Sequence, residues 1–405
     1  MFRKLFSMLF PVIAIASLSF QANAQTVSPE SVGLSSQRLT RIEALMQNHI
    51  ESNSFPGAVT MVARNNQIAW FQAQGVMDID SARPMQKDTV FRIMSMTKPL
   101  VAFAILMMAE EGRVRLDDPV SRFIPELGGL RVADATAESG SVEAERDITV
   151  LDLLTHSSGL MSGRASNSAI SIEFTPDATL ATVLPQLAAA PLEFQPGARW
   201  AYSPMFGFDT LVRIVEVASG VNFDTFSRAR IFEPLGMNNT YFYQENPDPN
   251  LVTLYRNQDG ELVNNPEMPF RNGSYFSGGG GLLSTAEDYF QFASVLLNEG
   301  EWNGQQLLGR RSMEIMRSAF LPADHPGRNP GEGYGLGVRV ITDPVANRTW
   351  LSEGSFGWSG AFNTHFFVDP QEKIIGMYMT QITGFPGGFT LMDDFETAVM
   401  QAVID

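Results

Sequence analysis

Ser95 and Lys98 stand three residues apart in Phe91-Arg-Ile-Met-Ser95-Met-Thr-Lys98-Pro-Leu, at the head of an apolar run that continues from Val101 to Met108. On a helix that spacing puts the two side chains on one face, one turn apart. A hydroxyl beside an amine in apolar surroundings is the arrangement of an activated serine nucleophile, because low dielectric favours a neutral amine able to take the proton. The spacing alone is weak, since chance supplies it roughly a few tenths of a time per chain. Context strengthens it. The chain has four lysines (Lys4, Lys87, Lys98 and Lys373), and one lies in an apolar helix start, where a charge is costly unless it has a partner or a task. The bland alternative is a capping serine beside a lysine that snorkels to solvent.

Other nucleophile signatures are weaker. No Gly-x-Ser-x-Gly elbow occurs. His156 in His-Ser-Ser-Gly159 invites a serine–histidine reading, but a histidine at a helix end beside a turn glycine explains it more simply. The run Gly278-Gly-Gly-Gly281 lacks the Lys-Ser/Thr of a phosphate loop, so tight backbone packing is the better account.

These residues must be carried by a fold large enough to bury them. Arg3 and Lys4, an apolar stretch from Leu5 to Phe20, and Ala22-Asn23-Ala24 have the order of a secretory signal. Cleavage between Ala24 and Gln25 is expected, which implies a periplasmic or secreted protein. Pro11 and the short stretch argue against a membrane anchor. The 381 residues left when 24 are removed from 405 are enough for a large core and more than one domain. Loss of Arg3 and Lys4 takes the formal charge from −16 to −18, which argues against nucleic acid as a partner. With no cysteine and only four histidines, none paired at ligand spacing, neither disulfide nor metal centre is expected, and no cofactor.

Leu39, Ile42, Met46 and Ile50 recur at helical spacing behind Ser35 and Ser36. Ala58–Ala63 and Ile68–Phe71 flank Asn65-Asn66 as a β-hairpin. The middle of the chain reads as short helices and loops, with 132–147 an exposed loop and Phe208–Ala218 an amphipathic helix. Ser284-Thr-Ala-Glu287 reads as a capping box opening a helix to Leu297. Strands return after Gly333, and a helix from Thr390 to Val403 closes the chain. The expected architecture is α/β, with residues 25–115 and 276–405 forming one domain and 116–275 a mostly helical insertion.

Taken in order, Phe55-Pro-Gly-Ala58, Ser95-x-x-Lys98, Leu116-Asp-Asp-Pro-Val120, Ile148 to Leu160, Pro196-Gly197 before Trp200-Ala-Tyr-Ser203, and Gly279-Gly-Gly-Leu282 before Ser284-Thr-Ala-Glu-Asp288 resemble the serine β-lactamase and penicillin-binding superfamily. The likeness spans nearly the whole mature chain and is strongest to the class C branch, and within it to the β-lactamase-like (family VIII) carboxylesterases. It implies a β-lactamase/transpeptidase-like fold, an antiparallel sheet flanked by helices plus a helical insertion.

The resemblance also implies roles. Ser95 would be the nucleophile, Lys98 a general base and Tyr202 a general acid/base, since a phenol beside an ammonium can be held as phenolate. The family's second motif is Tyr-x-Asn; here it reads Tyr202-Ser203-Pro204, without the side-chain amide that would meet an amide substrate. In the third motif Trp358-Ser359-Gly360 stands where β-lactamases carry Lys-Thr-Gly, so the cation for a substrate carboxylate is missing. Trp358, Ser359 and Gly360 are the expected substrate-binding residues, and the N–H groups of Ser95 and Ala361 the expected oxyanion hole. These departures favour carboxylic esters. A β-lactamase or peptidase is the alternative within the superfamily, and a sensing module that acylates without turnover is the alternative of another class. The substrate is in each case a small ester, lactam or peptide.

Overall fold

The computed structural model describes residues 26–265 and 273–405, and the expected export signal lies outside the described residues. Ser35 caps α1 (Ser36–Glu51) by accepting the Arg38 N–H, and Leu39, Ile42 and Met46 form its buried stripe. The hairpin is present as β1 (Gly57–Arg64) and β2 (Gln67–Asp78), joined through Asn65 and Asn66 at φ 51° and 64°. Two successive left-handed residues make a turn whose twist matches that of the strands, and asparagine tolerates that conformation.

A short β3 (Arg83–Pro84) borders β2, and the remaining strands come from the C-terminal part. They are β4 (Glu332–Tyr334), β5 (Arg339–Ile341), β6 (Phe356–Gly360), β7 (Thr364–Asp369) and β8 (Ile374–Met379). All eight join in one sheet of order β4-β5-β6-β7-β8-β1-β2-β3. Every neighbouring pair is antiparallel. The two ends of the chain meet where Val59 of β1 opposes Met379 of β8.

Strand alternation sorts the central side chains onto two faces. Val59, Met61, Ala63, Phe366, Ile375 and Met377 enter one core cluster, while Ala58, Val62, Phe367, Ile374 and Tyr378 enter another. The helices of the first cluster are α2 (Thr97–Glu110), α3 (Val150–Leu154), α4 (Phe206–Ser219) and α5 (Ala286–Leu297); α5 packs directly on β1, β7 and β8, and α2 packs on α4. The second face is covered by α1 and by α6 (Thr390–Met400) through Leu39, Ile42, Phe395 and Val399. Every residue of α2 from Thr97 to Met108 is buried, as expected of a helix that is apolar all round.

Two local expectations shift. Arg131–Ala133 and Ser141–Glu143 pair as a small antiparallel ladder, where the polar composition suggests a loop. Val132 decides it: the side chain is buried and its backbone bridges to Leu192. The cap of α5 is Thr285, which accepts the Asp288 N–H, rather than Ser284, which pairs with Phe91 in a two-residue ladder. Among the described residues no helix is long and apolar enough to cross a membrane.

Candidate active site

Ser95 lies in a 3-10 turn (Met94–Met96) that leads into α2. The turn is fixed from three sides. Phe91 and Arg92 pair with Ser284 and Leu283, the Ile93 N–H donates to the Leu282 carbonyl (3.1 Å), and the buried Tyr289 hydroxyl donates to the Met96 carbonyl (2.9 Å). A side chain three residues on then stands beside the serine: Lys98 Nζ is 3.1 Å from Ser95 Oγ.

Lys98 is fully buried. Its remaining donors meet the carbonyls of Gly279 (2.6 Å) and Pro204 (2.7 Å). Three acceptors for three N–H groups are what a buried ammonium needs. Nζ also lies 5.0 Å from the centre of the Tyr202 ring and 5.5 Å from that of Phe208. Pro204, which lacks the amide of the family motif, therefore meets the lysine with its backbone instead.

The carbonyls are brought in by close backbone contact. A Cβ on Gly279 would stand 2.6 Å from Met205 Cα and 3.0 Å from the Pro204 carbonyl oxygen, so only glycine lets these segments meet. Asp209, on α4, holds the other side of the glycine run. Its carboxylate accepts from the Tyr275 hydroxyl (2.5 Å), the Ser277 hydroxyl (2.7 Å) and the Gly279 N–H (2.9 Å). Burial raises the Asp209 pKa, against the pull of those donors and of Lys98. Sequence reading missed this residue, although it carries the signal that marked Lys98, a charge inside an apolar helical run.

Tyr202 completes the set, its hydroxyl 2.7 Å from Ser95 Oγ. Its ring is packed by His156 (4.7 Å between centres), Trp358 (5.7 Å) and Trp200 (6.3 Å). His156 follows α3 in the left-handed region (φ 55°), fully buried, with Nδ1 accepting the Ser203 N–H at 3.2 Å. Burial first, then the charges of Lys98 and Arg328, hold its pKa well below the usual histidine value. It is thus a neutral wall behind Tyr202.

The third motif lies on β6. Trp358 faces the Tyr202 ring, and Ser359, by alternation, faces the α6 side of the sheet. There the Ser359 hydroxyl bonds His365 Nδ1 (2.9 Å), and His365 Nε2 meets Glu396 (3.1 Å), which also pairs with Arg339. Ser359 is therefore limited to its backbone as a substrate-binding group. Burial alone would raise the Glu396 pKa, but Arg339 and His365 bring it below the usual carboxylate value. At Gly360 a Cβ would lie 2.4 Å from the Ile93 carbonyl oxygen, so the end of β6 rests directly on the turn that carries Ser95. Ala361 follows at the exposed edge, and the two N–H groups expected to form the oxyanion hole belong to these facing segments.

Sequence reading also missed Arg328 and Tyr334. The Trp200 N–H donates to the Pro326 carbonyl (2.8 Å), which draws the 326–328 loop over Trp200 and seats Arg328 above its ring at 4.5 Å. Tyr334 stands 5.3 Å from Trp358, nearly perpendicular to it. Tyrosine between glycines in Gly333-Tyr-Gly335 is a faint clue, and Arg328 has none nearby.

A family model for beta-lactamases matches residues 42–400. An uncharacterized protein of Mycobacterium tuberculosis is 34% identical over 365 residues, which are 84% of this chain and 89% of that protein. Esterase EstB of Burkholderia gladioli is 31% identical over 391 residues, 89% of this chain and 94% of the esterase. Among solved structures, EstCE1, a hydrolase with promiscuous acyltransferase activity, superposes with a TM-score of 0.77 at 27% identity, over 90% of this chain and 99% of its own.

Proposed function

The chain belongs to the beta-lactamase family and is a serine hydrolase of that fold; from that premise we propose that it hydrolyses carboxylic esters through an acyl-enzyme on Ser95. The observation that carries the reading is the hydrogen-bonded set of Ser95, Lys98 and Tyr202. Lys98 and Tyr202 are the two groups within hydrogen-bond reach of the Ser95 hydroxyl, and either, when it enters the step without its own proton, can take the one from Ser95. Of the two, the Tyr202 hydroxyl lies nearer Ser95 Oγ (2.7 Å against 3.1 Å for Lys98 Nζ), which makes Tyr202 the proton carrier in this reading. The Ser95 oxygen then adds to the ester carbonyl, and the oxyanion takes the N–H groups of Ser95 and Ala361. Tyr202 returns the proton to the leaving alcohol. Water repeats the sequence to free the acid.

Two features support esters over lactams and peptides. Pro204 has no side-chain amide, and Trp358 offers no cation beside Tyr202 for a substrate carboxylate. A hydrogen bond to a charged group is worth about 1.5–3 kcal/mol and a neutral one about 0.5–1.5, so the missing cation costs roughly ten- to a hundredfold and the missing amide roughly two- to tenfold. Short-chain p-nitrophenyl esters are accordingly expected to exceed a chromogenic cephalosporin and a D-alanyl peptide in kcat/KM by at least about tenfold, with steady turnover past one equivalent. A faster cephalosporin would make the chain a β-lactamase, and a single burst without turnover would make it a sensor.

Export belongs to the same proposal and rests on Arg3-Lys4, the apolar Leu5–Phe20 stretch and Ala22-Asn23-Ala24. The protein recovered from a bacterial periplasm or culture medium is expected to begin at Gln25. An N-terminus still carrying the first 24 residues on the mature protein would overturn that part.

A further inference from the structure

Ten buried side-chain nitrogen or oxygen atoms among the described residues have no hydrogen-bond partner, and five of them sit in one cluster beside Tyr202. They are His156 Nε2, Trp200 Nε1, Arg328 Nε, the Tyr334 hydroxyl and Trp358 Nε1. The cluster is contiguous. His156 lies 5.5 Å from Tyr334, Tyr334 lies 6.0 Å from Trp200 and 5.3 Å from Trp358, and the Arg328 guanidinium is 5.2 Å from the Tyr334 ring. Tyr334 is 0% exposed, His156 1%, and the Arg328 side chain 2%. Trp200 and Trp358 are only partly buried, although their Nε1 atoms are covered, so a ligand would reach the cluster past the exposed parts of the two indoles.

All five atoms can donate. Tryptophan and arginine nitrogens do nothing else, and His156 must carry its proton on Nε2 because Nδ1 accepts the Ser203 N–H. Buried polar groups of native proteins are nearly always paired, and five unpaired donors on residues in contact with one another call for an acceptor. Arg328 already pairs with Glu332 and donates to the Gly333 carbonyl (3.2 Å), so its charge is answered and a neutral oxygen suffices. The cluster also has a side. It packs on Tyr202, which in the proposed mechanism hands its proton to the departing alcohol. We infer that these residues form a recognition subsite for the alcohol half of the ester, and that it takes an alcohol bearing a further neutral oxygen acceptor, a carbonyl.

The inference rests on the ester-hydrolase reading, and one experiment separates the two. Release of butyrate by the full chain is measured from pentyl butyrate, from the butyrate ester of 5-hydroxypentan-2-one, in which one methylene becomes a carbonyl, and from that of 4-hydroxybutanoate. The ketone ester is expected to exceed pentyl butyrate in kcat/KM by at least about tenfold. A carboxylate ester faster than the ketone ester would overturn the neutral-acceptor assignment. Tyr334→Phe and Arg328→Met are each expected to bring that ratio toward one, and a ratio is insensitive to loss of folded enzyme. Turnover with no preference overturns the subsite alone, and a preference unchanged in both variants removes it from this cluster. No turnover of any of the three esters overturns the ester reading and the subsite with it.

Discussion

Alanine at position 95 is expected to lower ester turnover by roughly 10⁵–10⁶-fold, the loss typical when a serine nucleophile is deleted. It is also expected to abolish covalent labelling by a fluorophosphonate, read by intact mass. The change should be chemical and not structural. The turn carrying Ser95 is held through the backbone of Ile93 and Met96 and through the Phe91–Ser284 ladder, none of which uses the serine hydroxyl. Lys98 loses one of three acceptors and keeps the carbonyls of Pro204 and Gly279. The substitution removes the bonds of Ser95 Oγ to Lys98 and Tyr202, about 1.5–3 kcal/mol if charged and about 1 kcal/mol if neutral, so the urea midpoint should fall while the protein stays folded. Labelling that survives in a folded Ser95→Ala protein would sink the nucleophile assignment, and with it the acyl-enzyme. Among the described residues no other serine hydroxyl is hydrogen-bonded to Lys98, and the Ser203 hydroxyl accepts the Gly207 N–H within the turn before α4.

Much of this site was legible because its parts obey local rules. Lys98 stands out as a charge in an apolar helix, and a three-residue offset is enough to place it against Ser95 whether the turn is α or 3-10. The hairpin at Asn65-Asn66 announces itself through residues that tolerate positive φ. The α5 cap shows the limit of such rules. Ser284 and Thr285 are equally good capping residues, and the choice is made by Phe91, almost two hundred positions away, which claims Ser284 for a strand. The wall behind Tyr202 is harder still. His156, Trp200, Arg328, Tyr334 and Trp358 come from five separate segments, and no spacing within any of them says that they meet. Ser359 gives the opposite lesson. Its place beside Trp358 in the motif suggests a shared cleft, yet a strand sends neighbours to opposite faces, and Ser359 meets His365 and Glu396 on the far one.

Phenylalanine at position 202 is expected to cut kcat on p-nitrophenyl butyrate by about 10²–10⁴-fold, the usual worth of a positioned acid or base, with a smaller change in KM. The substitution isolates the hydroxyl. The ring that His156, Trp200 and Trp358 pack against is retained, so the wall of the cleft and the fold should persist. What disappears is the oxygen 2.7 Å from Ser95 Oγ. Lys98 alone then stands next to the nucleophile, its Nζ 3.1 Å from Ser95 Oγ, the longer of the two contacts. If Lys98 were the base and Tyr202 only a packing residue, Tyr202→Phe would keep near-normal rates. Turnover within about threefold of the parent would therefore transfer the proton to Lys98. A loss of the expected size, with slow fluorophosphonate labelling still present, would place Tyr202 in proton transfer while leaving Ser95 as the atom that attacks. The same result would give a direction to the donor cluster behind the ring. A tyrosine that protonates the leaving alcohol must face that alcohol, and the groups packed around it are then the ones that select which alcohol can leave.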